Sequence, residues 1–151
     1  MKVTLMLADS AQAVGGKLYI LGGGWSIAGP GPVSMAIAIK IEVPWDQANT
    51  QHTLRLNLVD QDGRAVMVSA PTGDRAIEFT SNIEVGRPPG LRAGTPLDVT
   101  MAINMGSIPI PPDGRFVWQC YINDQTQDDW RVAFSTRPAQ EPAQRQQPPG
   151  G

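Results

Sequence analysis

VSMAIAIKIEV, residues Val33–Val43, is the stretch whose reading decides the fold. Met35, Ile37, Ile39, Ile41 and Val43 fall on every second position, and Ser34, Ala36, Ala38, Lys40 and Glu42 fill the positions between them. An extended chain sends successive side chains to opposite faces, so this period of two predicts a strand with one large apolar face. The second face ends in charge at Lys40 and Glu42 but is small and apolar at Ala36 and Ala38. A strand apolar on both sides is central in its sheet or covered on its outer face.

The same period recurs along the chain. Leu54, Leu56 and Leu58 alternate with Arg55 and Asn57, and Ile77, Phe79, Ile83 and Val85 with Glu78, Thr80, Asn82 and Glu84. Leu97, Val99, Met101, Ile103 and Met105 alternate with Asp98, Thr100, Ala102 and Asn104. Phe116, Trp118, Cys120 and Ile122 share a face, as do Trp130, Val132 and Phe134. No segment carries a helical stripe. One apolar face per strand is the mark of antiparallel sheets, and Asp-Gly turns at Asp60–Gly63 and Pro111–Gly114 join neighbouring runs. The fold expected is an all-β antiparallel sandwich of eight or nine strands, immunoglobulin-like or jelly-roll in type. It occupies residues 1–136, followed by an irregular Pro/Gln-rich tail over 137–151 that lacks any large apolar residue.

Composition limits the partners. The 151 residues carry a net charge of −2, with 12 basic and 14 acidic side chains. A general nucleic-acid binder needs a basic surplus against phosphate, so none is expected. No apolar run approaches the roughly 18 residues of a membrane helix, and the single cysteine allows no intrachain disulfide. A soluble, cytoplasmic protein is the default expectation.

The candidate chemistry is thin. LGGGWSIAGPGP, Leu21–Pro32, follows an apolar run as a phosphate loop would. Ile27, however, stands where a dinucleotide fingerprint needs its third glycine, and Pro30 where a P-loop needs lysine. The loop reads as a corner between strands. Cys120 sits on an apolar strand face, where a thiol behaves as a core residue, and His52 opens a strand among polar neighbours. Asp60, Asp62, Asp128 and Asp129 make a metal site only if the fold brings them together. No residue is therefore assigned as catalytic, cofactor-binding or metal-binding. What remains is apolar surface: Met6 beside Leu5, Met35, Ala36 and Ala38 in the deciding strand, and Trp25 and Trp45 in loops. Each is read either as core or as part of an interface, with a second subunit as one cover for the alanine face.

LADSAQAVGGKLYILGGGW (7–25), IKIEVPWDQAN (39–49) and EVGRPPGLRAGTPLDVTMAINM (84–105) give the chain its family resemblance. It resembles a family of uncharacterised bacterial proteins catalogued as a domain of unknown function, over most of residues 1–136. The resemblance implies a shared fold and no activity, and no functional residue is carried from it. The function expected is a non-enzymatic binding or assembly module that self-associates or binds a protein partner through sheet faces and the two Trp-bearing loops. A sandwich binding a sugar or polar metabolite, with Trp25 or Trp45 as stacking platform, is the alternative, and a metal-assisted hydrolase a third.

Overall fold

A computed structural model describes residues 1–139, so most of the expected tail lies outside the described residues. Among the described residues the chain is all-β, with a single 3-10 turn at Trp45–Gln47. Its strands are β1 (Lys2–Ala8), β2 (Ser10–Val14), β3 (Lys17–Leu21), β4 (Ile27–Ala28), β5 (Val33–Val43) and β6 (His52–Asp60), then β7 (Met67–Ala70), β8 (Gly73–Ala76), β9 (Glu78–Ile83), β10 (Leu97–Ile108), β11 (Arg115–Ile122) and β12 (Arg131–Thr136). Among the described residues the expected eight or nine strands become twelve in four sheets. The surplus comes from two small hairpins, β2–β3 and β7–β8, whose strands of four or five residues are too short to show a period of two. Antiparallel pairing is general except where β4 joins β12 in parallel.

A three-stranded sheet, ordered β1-β5-β10, and a five-stranded sheet, ordered β4-β12-β11-β6-β9, share one core. The deciding strand β5 is central in the first, and its Met35, Ile37, Ile39, Ile41 and Val43 are buried as the period of two requires. They meet Leu54, Leu56 and Leu58 of β6, Phe116, Trp118, Cys120 and Ile122 of β11, and Phe134 of β12. Trp118 donates its indole N–H to Met35 Sδ at 3.3 Å, so the one polar atom of that buried ring is satisfied.

The other face of β5 is covered from within the chain. Ala8, Ala36 and Asn104 lie side by side across the three strands, and Met6, Ala38 and Ala102 form the next row. After Ala8 the chain leaves the sheet at Asp9, and β2 returns over these rows, paired to β3 through Ala11↔Ile20 and Ala13↔Leu18. Ala8, Ala11, Ala36 and Ala38 form a second buried cluster, with Leu18 and Ala102 packed on it. Alanine methyls leave room for a backbone to lie close above the sheet, where a larger side chain would hold it off.

Asn104 locks the cover. Its Nδ2 donates to the Ala11 carbonyl at 2.8 Å and its Oδ1 accepts from the Ala11 N–H at 3.1 Å. One amide side chain thus takes the place of a neighbouring strand for a residue only 1% exposed. Replacing Asn104 with Ala leaves two buried backbone groups unpaired, at a cost of about 1–3 kcal/mol. Asn104→Ala is expected to lower the melting temperature and to speed amide exchange across Ser10–Leu21, with β11 unaffected, as hydrogen-exchange mass spectrometry would register.

Candidate functional site

The six residues singled out for apolar surface fall into separate environments. Met35, Ala36 and Ala38 are interior, at 1%, 0% and 2% exposure. The cover that the sequence leaves open to a second subunit is the chain's own β2–β3 hairpin. Trp25 is half-buried against the main core, its ring edge-on to Phe134 at 5.9 Å and 75°. Its indole N–H is buried without a hydrogen-bond partner among the described residues. Trp45 is half-buried at the start of the 3-10 turn. Arg87 holds it there: the guanidinium stacks 4.7 Å from the ring centroid, while Nε and Nη2 donate to the Trp45 carbonyl at 3.1 and 2.6 Å. Met6 alone of the six is exposed, at 41%.

The glycine loop is a corner, as its sequence indicates. Gly24 N–H donates to Leu7 O at 2.7 Å, and Asp9 N–H is shared between Leu21 O and Gly22 O at 3.0 and 3.1 Å. Gly22 adopts φ +60°, and a Cβ there would coincide with the Asp9 carboxylate. These contacts tie the root of the hairpin to β1.

The titratable candidates are occupied by structural tasks. His52, 6% exposed, donates from Nε2 to Gln47 O at 3.0 Å, and its Nδ1 accepts from Asn123 Nδ2 at 3.0 Å. With both ring nitrogens engaged, it is a clamp between the turn after β5 and the turn after β11. Cys120 is fully buried beside Leu56, and desolvation pushes its thiol up to about 12. Asp60 folds its own turn, accepting from the backbone N–H groups of Asp62 and Arg64 at 2.9 and 3.0 Å. Asp60 pairs with Phe116 at the start of β11, whereas Asp128 and Asp129 follow its far end, so the four carboxylates do not converge. Among the described residues no group of three or more His, Cys, Asp or Glu is placed to hold a metal, and no helix is long and apolar enough to cross a membrane.

Apolar surface is instead gathered on the hairpin. Val14, Tyr19, Ile20 and Leu21 are 58%, 56%, 37% and 71% exposed, and Met6 adjoins Ile20 at the Gly23 corner. Of these, Met6 is marked in the sequence, whereas Tyr19, Ile20 and Leu21 are not, because KLYIL places four apolar positions in a row and gives no period to say which face is wet. Trp45 lines a separate groove of about 500 Å³ with Met1, Lys2, Glu42 and Pro96.

Two outcomes follow from this geometry. Trp25→Ala removes a ring packed on Phe134 and is expected to cost about 2 kcal/mol, less than the 3–5 kcal/mol of a fully buried aromatic, by denaturant unfolding. Cys120 is expected to resist a water-soluble disulfide reagent in the native protein at pH 8 and to react at once in denaturant. Because its folded pKa is raised above 9.0, the neutral thiol's contribution to stability is intact below about pH 9 and is lost as pH climbs toward 12. The gap between wild type and Cys120→Ala across that range measures it.

A family model matches residues 3–134, with the description family of unknown function (DUF6941). No curated protein and no solved structure matches the chain.

Proposed function

The chain belongs to that family of unknown function, and we propose that it is a non-enzymatic binding and assembly module, acting in the cytoplasm without a cofactor. The observation that carries this reading is where the exposed apolar side chains lie. Of the eight large ones among the described residues, five belong to the β2–β3 hairpin or to Met6 at its root. A cluster of exposed apolar groups, with an aromatic and a methionine among them, is the composition of a protein-binding surface. The reading takes the three- and five-stranded sheets as the two layers of an eight-stranded sandwich, a rigid body that presents the hairpin. The partner is a protein surface, with a second copy of the chain as the first case to examine.

A second reading, a small polar ligand, is supported by the Trp45 groove, where Lys2 and Glu42 supply opposite charges beside an aromatic wall. Arg87 already covers one face of that indole, which leaves at most one for stacking.

Light scattering combined with hydrogen exchange across a concentration series tests the first reading. The expected result is a mass above the 16.2 kDa of one chain, together with slower exchange over Ser10–Leu21 as concentration rises. A single-chain mass at every concentration, or association that leaves the hairpin's exchange unchanged, overturns self-association through this surface.

A further inference from the structure

On the side away from β1 and β4, the two main sheets leave a groove of about 1020 Å³ between them. Arg75, Ile77, Glu78 and Thr80 form one wall, and Met105 and Ile108 of β10 the other. Gly106 and Ser107, also in the groove, drop out of the pairing with β5 where the register of β10 shifts. Met105 pairs with Met35, which accepts the Trp118 indole N–H, and Trp118 pairs with Leu58, whose N–H donates to Ile77 O. Met105 and Ile77 are therefore level across the groove. From that level the groove runs one way past Glu78 to Thr80, and the other way past Arg75 and Ile108 toward the end of the molecule where β12 finishes.

A smaller groove, of about 350 Å³, lies at that end between Pro30, Pro32, Pro109, Pro111 and Ala139. Pro109 lines both grooves, so they adjoin there. The described chain thus ends, at Ala139, in the groove that leads to the larger one. Twelve residues follow, Gln140–Gly151, and Glu141 and Arg145 are their only charges. The larger groove also holds two charges, Arg75 and Glu78, and neither is in an ion pair among the described residues.

We propose that the larger groove is a docking site for this chain's own C-terminal segment, residues 140–151, entered past Pro109 and read by Arg75 and Glu78. Order and spacing of charge select the segment. Coming from Ala139 it presents Glu141 and then Arg145, and coming from Pro109 the groove presents Arg75 and then Glu78. Three strand residues from Arg75 to Glu78 span about 10 Å, and four residues from Glu141 to Arg145 span about 12 Å along a polyproline path. Between the two charges Gln144 offers both a donor and an acceptor to the backbone of Gly106 and Ser107 outside the ladder. Pro142, Ala143, Pro148 and Pro149 have no side-chain rotamer freedom to lose on docking. Attachment supplies the rest: a short tether holds the segment at an effective concentration of about a millimolar, so contacts too weak to capture a free peptide suffice. The groove shares no lining residue with the β2–β3 hairpin, so the inference stands apart from the assembly reading.

The test is paramagnetic broadening in the full-length chain, with a nitroxide on Gln147→Cys; buried Cys120 stays unlabelled, which a mass of one label per chain verifies. The amide signals of Ile77–Thr80 and Met105–Ile108 are expected to broaden. Arg75→Glu, a change at an exposed residue, should lower the ratio of docked to free segment by about twofold to fivefold, the scale of one exposed ion pair, and adding Glu141→Arg should restore it. Broadening confined to Gly29, Gly31 and Asp113, beside the point where the segment is anchored, overturns the proposal. So does a double variant no better than Arg75→Glu alone, since the order of charges would then select nothing. Broadening of the groove only when labelled chains are mixed with unlabelled, isotope-enriched ones means that it takes another copy's segment, and overturns docking within the chain.

Discussion

The structure depends on the contact between the β2–β3 backbone and the row of small side chains beneath it. Ala8, Ala36 and Ala38 are buried at 0–2% because a hairpin lies on them, and the hairpin stays because Asn104 satisfies both backbone groups of Ala11. The two halves of this arrangement need each other. Without alanines the backbone would stand off the sheet, and without the amide fork a buried residue would keep two unmet hydrogen bonds, each costly out of water. The Gly22 corner beneath Asp9 and the Gly24 bond to Leu7 fix the angle at which the hairpin leaves β1.

From that constraint the rest of the surface follows. A three-residue path from Ala8 to Ala11 suffices to cross the sheet, so apart from Leu18, which packs on the alanine cluster, the remaining residues of β2 and β3 are left to solvent. They carry Val14, Tyr19 and Leu21 outward rather than into a core. The same crossing ends over β10, the edge strand whose inner row is only half-covered. Meanwhile the titratable candidates are bound into the scaffold: His52 between two turns, Cys120 in the core beside Leu56, Asp60 in its own turn. Chemically quiet interior and apolar overhang together support a protein that works by contact.

The core was legible because period two is a direct consequence of strand geometry, and β5, β6 and β11 bury the residues their alternation marks. The alanine face was legible as covered but not by what, since a buried face carries no label for its cover. The hairpin itself was hidden for a physical reason. Its residues divide between packing and projection over only five positions per strand, so neither face shows a pattern long enough to read. Trp25 illustrates the converse. A tryptophan in a glycine loop reads either as folded onto the sheet or as offered to a partner, and the contact with Phe134 that decides between them depends on β4 joining β12 through two residues. The half-exposure of β10 was equally invisible, because Val99–Met105 alternate just as Met35–Val43 do, and only strand order distinguishes an edge from a centre.

The most direct test of this account is a methyl NOE experiment on a mixture of isotope-labelled and unlabelled chains, filtered to separate contacts within a chain from those between chains. Strong NOEs from the Ala11 methyl to the methyls of Ala36 and Ala38, arising within one chain, are the predicted result. Their absence, or their appearance only between chains, would mean that the alanine face is covered by something other than the chain's own hairpin, and the account would fail at its base.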